Sequence, residues 1–169
     1  FAVNRAQDGA LALDADVRDV LVETYGADGL PFDTFVGDGS PLTRAEVASW
    51  KPGDTLLLNG KMLTGRDAAH KRIQDMLAKG EPLPVDFTNR VIYYVGPVDP
   101  VRNEVVGPAG PTTATRMDKF TEMMLAQTGL MGMIGKSERG PIAIEAIKRH
   151  RAVYLMAVGG AAYLVSKAI

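Results

Sequence analysis

The chain has no cysteine, one tryptophan and two histidines among its 169 residues. Without a thiol it forms no disulfide, offers no cysteine to zinc and cannot ligate an iron–sulfur cluster through its own side chains. Any such cluster would have to be contributed by another domain. No run of about 18 apolar residues is present, so a membrane-spanning helix is not expected. No basic segment followed by an apolar stretch opens the sequence, and the expected location is cytoplasmic. Basic residues interleaved with aromatics, the pattern that reads nucleic acid, are also missing. "VGGAAY" is not the G-x-G-x-x-G pattern, and "GKS" at 135–137 lacks the upstream glycine of a phosphate loop, which disfavours a nucleotide ligand. Neither nucleic acid nor membrane is therefore an expected partner.

What remains is the composition of a globular chain, 46% hydrophobic and 23% charged, long enough for one sizeable core. A net charge of −1 conceals an asymmetry: residues 1–50 hold nine acids and three bases, and the remainder eleven acids and sixteen bases. The acidic part contains a helix candidate, "DADVRDVLVETYG", followed by the turn-rich "ADGLPFDTFVGDGSP". We read residues 1–50 as a connector and entry helix, and residues 51–169 as the main domain. Thr43 and Glu46 stand at capping-box spacing and mark the approach to it. Phe1 stands where an initiator Met would, so the start is expected upstream. The closing "AAYLVSKAI" has no terminating signal and is expected to continue beyond Ile169.

From Lys51 onward, strand-like and helix-like runs alternate. "DTLLLNGKMLTG" reads as a hairpin turning at Asn59 and Gly60. "RDAAHKRIQDMLAKG" reads as a helix stopped by Gly80, with Ala69, Ile73, Met76 and Leu77 on one face. "RVIYYVG" is apolar on both faces, as a central strand should be. "ATRMDKFTEMMLAQTG" is a helix burying Met117, Phe120 and Met124 and ending at Gly129. "LMGMIGK", a helix from Pro141 and the strand-like "AVYLMAVGG" follow.

Four times an apolar run passes through a glycine-bearing turn into a helix: "TGRDAAH", "GPTTATR", "IGKSERG" and "VGGAA". In an α/β sheet such turns gather at the carboxyl ends of the strands, where ligands bind. Three of them carry a cation near the helix start: Arg66, Arg116 and Lys136. A helix N-terminus is already positive, so cations there do not serve the helix and instead suggest an anionic guest. Guanidinium forks and the hydroxyls of Thr112, Thr113 and Thr115 suit a carboxylate or phosphate. Plainer roles compete. Thr112 and Thr113 could simply cap a helix, the Met-rich "EMMLAQTGLMGM" suits a core, and His150 in the basic "KRHR" suits the negative end of a helix.

These motifs have a further significance together. "NGKMLTGRDAAHKRI", "VIYYVGPVDP", "GPAGPTTATRMDKF", "MIGKSERG" and "AVYLMAVGGAAYL" resemble the C-terminal domain of class I fumarases, the iron–sulfur fumarate hydratases, and the β subunits of tartrate dehydratases. The resemblance runs over residues 41 to 169 in order, and G-P-T-T-x-x-R-M-D with G-R-D-x-A-H is its most specific part. It implies an α/β fold, a swivelling β/β/α domain that closes over a separate N-terminal domain. That domain holds a 4Fe-4S cluster through three cysteines, which this chain lacks. It also implies reversible hydration of fumarate to malate in the tricarboxylic acid cycle, with a C4 dicarboxylate substrate and a homodimeric full enzyme. Arg66, Arg116 and Lys136 match the family's substrate-binding cations, and Thr112 its proton-transfer threonine. Asp67, His70 and Thr113 match in supporting roles, Asp67 and His70 by orienting Arg66. No metal ligand falls within the chain, and the fragment alone is expected to be inactive. A tartrate dehydratase β subunit, a free-standing dicarboxylate-binding module and a purely structural interaction domain are the alternatives.

Overall fold

Val91, Tyr93 and Val95 pack into one apolar cluster, and the intervening Ile92 and Tyr94 into another. That period of two is a strand covered on both faces. In the computed structural model this is β5 (Val91–Tyr93), at the centre of the sheet. The structure describes residues 2–5, 11–16, 35–36, 42–51, 57–96, 98–101, 106–157 and 161–167.

The strands are β1 (Ala2–Arg5), β2 (Leu11–Asp16), β3 (Phe35–Val36), β4 (Leu57–Thr64), β5, β6 (Gly132–Gly135) and β7 (Val153–Met156). Their order across the sheet is β1-β2-β4-β5-β6-β7, with β3 beside the start of β4. The last four run parallel, and β1 and β2 extend the sheet antiparallel. The helices are α1 (Arg44–Ser49), α2 (Asp67–Lys79), α3 (Asp118–Thr128), α4 (Pro141–His150) and α5 (Ala161–Lys167), with a 3₁₀ turn at Ala114–Met117 leading into α3. The fold is thus α/β, a four-stranded parallel sheet with crossover helices. No described helix is long and apolar enough to cross a membrane.

The two core clusters show which helices cover which face. Ile73 of α2, Phe120, Met124 and Leu125 of α3 and Ala146 of α4 pack with Leu63, Ile92, Tyr94 and Met133 of the sheet side. Val47 of α1 and Val165 of α5 join Val91, Tyr93 and Val95 on the other. Both tyrosines are buried: Tyr93 donates its hydroxyl to the Ala109 carbonyl at 2.9 Å, and burial pushes the Tyr94 phenol up to about 12. The methionines of "EMMLAQTGLMGM" serve this core, Met124, Met131 and Met133 being almost wholly enclosed.

The capping box forms as the spacing predicts: Glu46 N–H donates to the Thr43 hydroxyl at 3.2 Å, and Thr43 N–H to the Glu46 carboxylate at 2.6 Å. Helix α2 ends at Gly80, whose left-handed φ of 69° turns its N–H back onto Leu77. Two expectations are corrected. Asn59 and Gly60 make no hairpin; they lie inside β4, opposite Asp16 and Ala15, because β2 supplies the antiparallel partner that a hairpin would have found within the segment. Residues 14–16, expected to begin a helix, are the end of β2, and the remainder of that candidate lies outside the described residues, as do glycines 159 and 160.

Candidate active site

Parallel strands leave their last carbonyls and N–H groups unpaired at one end of the sheet, and here they are used to bring three separate turns together. Gly65, just past β4, donates to the Tyr93 carbonyl at 3.1 Å. Beyond β5, Tyr94 donates to Ile134 at 2.8 Å and its own carbonyl accepts from Thr112 at 2.6 Å. Thr112 in turn accepts from Lys136 N–H at 3.2 Å, and Ala114 donates to the Lys136 carbonyl at 2.9 Å. Residues 112–114 therefore lie as an added rung between the ends of β5 and β6. That rung explains why "GPAGPTTATRMD" carries two Gly-Pro pairs: the chain has to double back across the sheet end, with Pro111 bridging Val95, before it can enter α3.

Each charged side chain is placed by this frame. Arg66, at the N-terminus of α2, lies against the backbone of Gly96, where a β-carbon would come within 2.6 Å of its Nε; only glycine leaves room for the guanidinium to cross. Arg116 donates Nε to Asp67 Oδ1 at 3.1 Å. Its Nη2 stands 3.0 Å from Asp67 Oδ2, off the hydrogen-bond direction, so that oxygen is held by charge alone. Asp67 thus holds Arg116, rather than orienting Arg66 as read from sequence, because the 3₁₀ turn brings Arg116 over the first turn of α2. Lys136, at the end of β6, is exposed. Among the described residues neither its ammonium nor the Arg66 guanidinium has a polar side-chain partner.

His70 is 1% exposed, enclosed by the rings of Tyr94 and Phe120. Its Nδ1 lies 2.9 Å from the Arg66 carbonyl; a carbonyl can only accept, so Nδ1 carries the proton and Nε2 the lone pair. Burial, opposed by that bond and by the Asp67 charge, holds its pKa below the usual value of 6.5. The histidine is a neutral prop under the Arg66 backbone. The hydroxyls of Thr112, Thr113 and Thr115 find no hydrogen-bond partner among the described residues, and Thr113, at the N-terminus of the 3₁₀ turn, makes no side-chain cap. The capping role is not what these threonines do here.

Three cations against one carboxylate leave a formal surplus of two positive charges beside uncommitted hydroxyls. That is the complement of a small dianion with donors to spare. Among the described residues no group of three or more His, Asp or Glu side chains is placed to hold a metal. Sequence reasoning gave no role to Asp118, Arg139 or Tyr154, which lie just behind this edge. Asp118 closes the R-M-D motif and was visible as such, whereas nothing in "KSERG" distinguished Arg139 from a surface charge.

The family model described as Fumarase C-terminus matches residues 35–169. Fumarate hydratase 2 of Leishmania major is 34% identical over 124 residues, 73% of this chain and 22% of that protein. The aerobic class I fumarate hydratase of Escherichia coli K12 is 35% identical over 123 residues, again 73% of this chain and 22% of the relative. A Methanocaldococcus jannaschii protein provisionally named L(+)-tartrate dehydratase subunit beta is 35% identical over 130 residues, 76% of this chain and 67% of its own length. The chain spans less than a quarter of the length of these fumarate hydratases.

Proposed function

We propose, since this chain belongs to the Fumarase C-terminus family, that it is the substrate-holding part of a class I fumarase, which interconverts fumarate and malate. The observation that carries the reading is the doubly positive edge with unpaired threonine hydroxyls. Arg66, Arg116 and Lys136 fix the two carboxylates of the C4 dianion, and fixing both ends sets the reacting carbons at a defined height above the sheet. In the dehydration direction a proton leaves C3 and hydroxide leaves C2, giving fumarate and water; hydration returns both. Thr112 Oγ is our candidate for moving the C3 proton. An unassisted hydroxyl is a weak base at neutral pH, so it must pass the proton to a group on another domain.

The family resemblance implies a 4Fe-4S cluster. With no cysteine in the chain, these residues do not fit such a group, and any ligands belong to a separate N-terminal domain. We assign residues 51–169 to a swivelling domain that closes over it, with the active site between the two, and residues 1–50 to a connector whose β1 and β2 also extend that domain's sheet. The full enzyme is a homodimer in this reading. The chain alone should convert no malate, whereas the chain joined to its cluster-bearing partner should; turnover by the chain alone would overturn the shared-site reading.

A second reading is favoured by one observation, that the match covers two thirds of the tartrate dehydratase relative. There the corresponding unit is a separate β subunit. Parallel assays of the assembled enzyme with malate and tartrate decide between the two by their kcat/KM ratio.

A further inference from the structure

The stretch between Lys136 and α4 is fastened at every residue but one. Lys136 is held through its main chain by Thr112 and Ala114. The Ser137 carbonyl accepts from the Tyr154 hydroxyl at 2.7 Å, which secures a non-glycine residue at a left-handed φ of 68°. Arg139 is turned inward, its side chain 2% exposed. Its Nε donates to Asp118 Oδ1 at 2.7 Å and its Nη2 to the Thr121 hydroxyl. The guanidinium sits over the rings of Tyr94 and Tyr154, 5.6 and 5.0 Å from their centroids. The second Asp118 oxygen accepts from Gly140 N–H at 2.7 Å. One carboxylate therefore holds both the side chain and the main chain of the same loop. A β-carbon at Gly140 would lie 2.6 Å from that oxygen.

A buried ion pair is a poor source of stability, since desolvation offsets most of the attraction and an apolar replacement often does as well. What it does supply is fixed geometry. Asp118 follows Arg116 by two residues, and Arg139 follows Lys136 by three. We propose that the Asp118–Arg139 pair is a positioning device that sets the separation between the Arg116 guanidinium and the Lys136 ammonium, and with it the length of dicarboxylate the site accepts. The inference rests on the reading of those two cations as carboxylate ligands.

The test uses the complete enzyme, this chain with its cluster-bearing partner, and compares Arg139→Lys, Tyr154→Phe and Lys136→Met with the parent. The substrate is malate, with 2-hydroxyglutarate, one carbon longer, as the competitor. Arg139→Lys keeps the charge but not the planar fork; KM for malate should rise at least tenfold with kcat within about threefold, and inhibition by 2-hydroxyglutarate should strengthen relative to malate binding. Tyr154→Phe removes one bond at the loop and should shift both quantities the same way, by a few fold, with an unchanged melting temperature. This milder variant keeps the test decisive if Arg139→Lys fails to fold. Unaltered KM and length discrimination in Tyr154→Phe and in any folded Arg139→Lys would overturn the proposal, while Lys136→Met still raising KM would leave the underlying site reading intact. An unaltered KM in Lys136→Met would instead remove the premise.

Discussion

Arg116 shows how a single side chain can be placed before any ligand arrives. Asp67 takes its Nε and faces its Nη2, so the guanidinium plane is preset and Nη1 is left uncommitted among the described residues. A lysine cannot engage Asp67 and a substrate carboxylate with that geometry. Arg116→Lys in the complete enzyme should cost about 1.5–3 kcal/mol of transition-state stabilisation, a tenfold to hundredfold fall in kcat/KM. The ion pair is about half exposed, so the melting temperature should barely move; unchanged kinetics with a lowered melting temperature would make Arg116 a stability residue. His70 makes a separate prediction. Its folded pKa is depressed below 6.5 by burial, so the unfolded chain binds the proton more readily. The stability it contributes is present above about pH 6.5 and is lost as the pH falls toward the depressed value. In an NMR titration the His70 ring should remain neutral on descending through pH 6.5, and an inflection at or above 6.5 would contradict the buried-prop account.

At the scale of elements, the positions legible in the sequence were those where local pattern and tertiary demand agree. The unbroken apolar run in "RVIYYVG" gave a central strand because both faces of β5 are covered, and Gly80 and Gly129 gave helix ends because each takes a left-handed φ. The Asn59 and Gly60 pair misled because its turn preference is worth less than the ladder β4 makes with β2. The Asp118–Arg139 clamp was not legible, since two charges 21 residues apart carry no periodic signal; only the return of the chain from β6 to α4 brings them together. The crossing of Arg66 over Gly96 was equally hidden, as "YYVG" looks like any strand end. Gly96→Ala would place a β-carbon 2.6 Å from Arg66 Nε, against the far end of a flexible side chain. The guanidinium should yield rather than the fold, so KM for malate should rise severalfold at an unchanged melting temperature. A collapse in melting temperature with normal KM would show that Gly96 serves the backbone instead.

For the whole molecule, the proposed function makes the cations, hydroxyls and sheet end one half of a site. The cations come from three turns that lie after β4, before α3 and after β6, which is why they could be grouped as candidates without coordinates. The other half could not be read from a chain without cysteine: in the proposed function, thiolates for a cluster and an acceptor for a proton from Thr112 both come from another domain. The central claim is that Thr112 acts in the chemistry and does not cap a helix, and the measurement that reaches it most directly is the steady-state kinetics of Thr112→Ala in the assembled enzyme. Removing a proton-transfer group should lower kcat by about 10²-fold or more, with KM within about threefold and the melting temperature unchanged, because the hydroxyl makes no cap. A parental kcat accompanied by a lowered melting temperature would contradict the account.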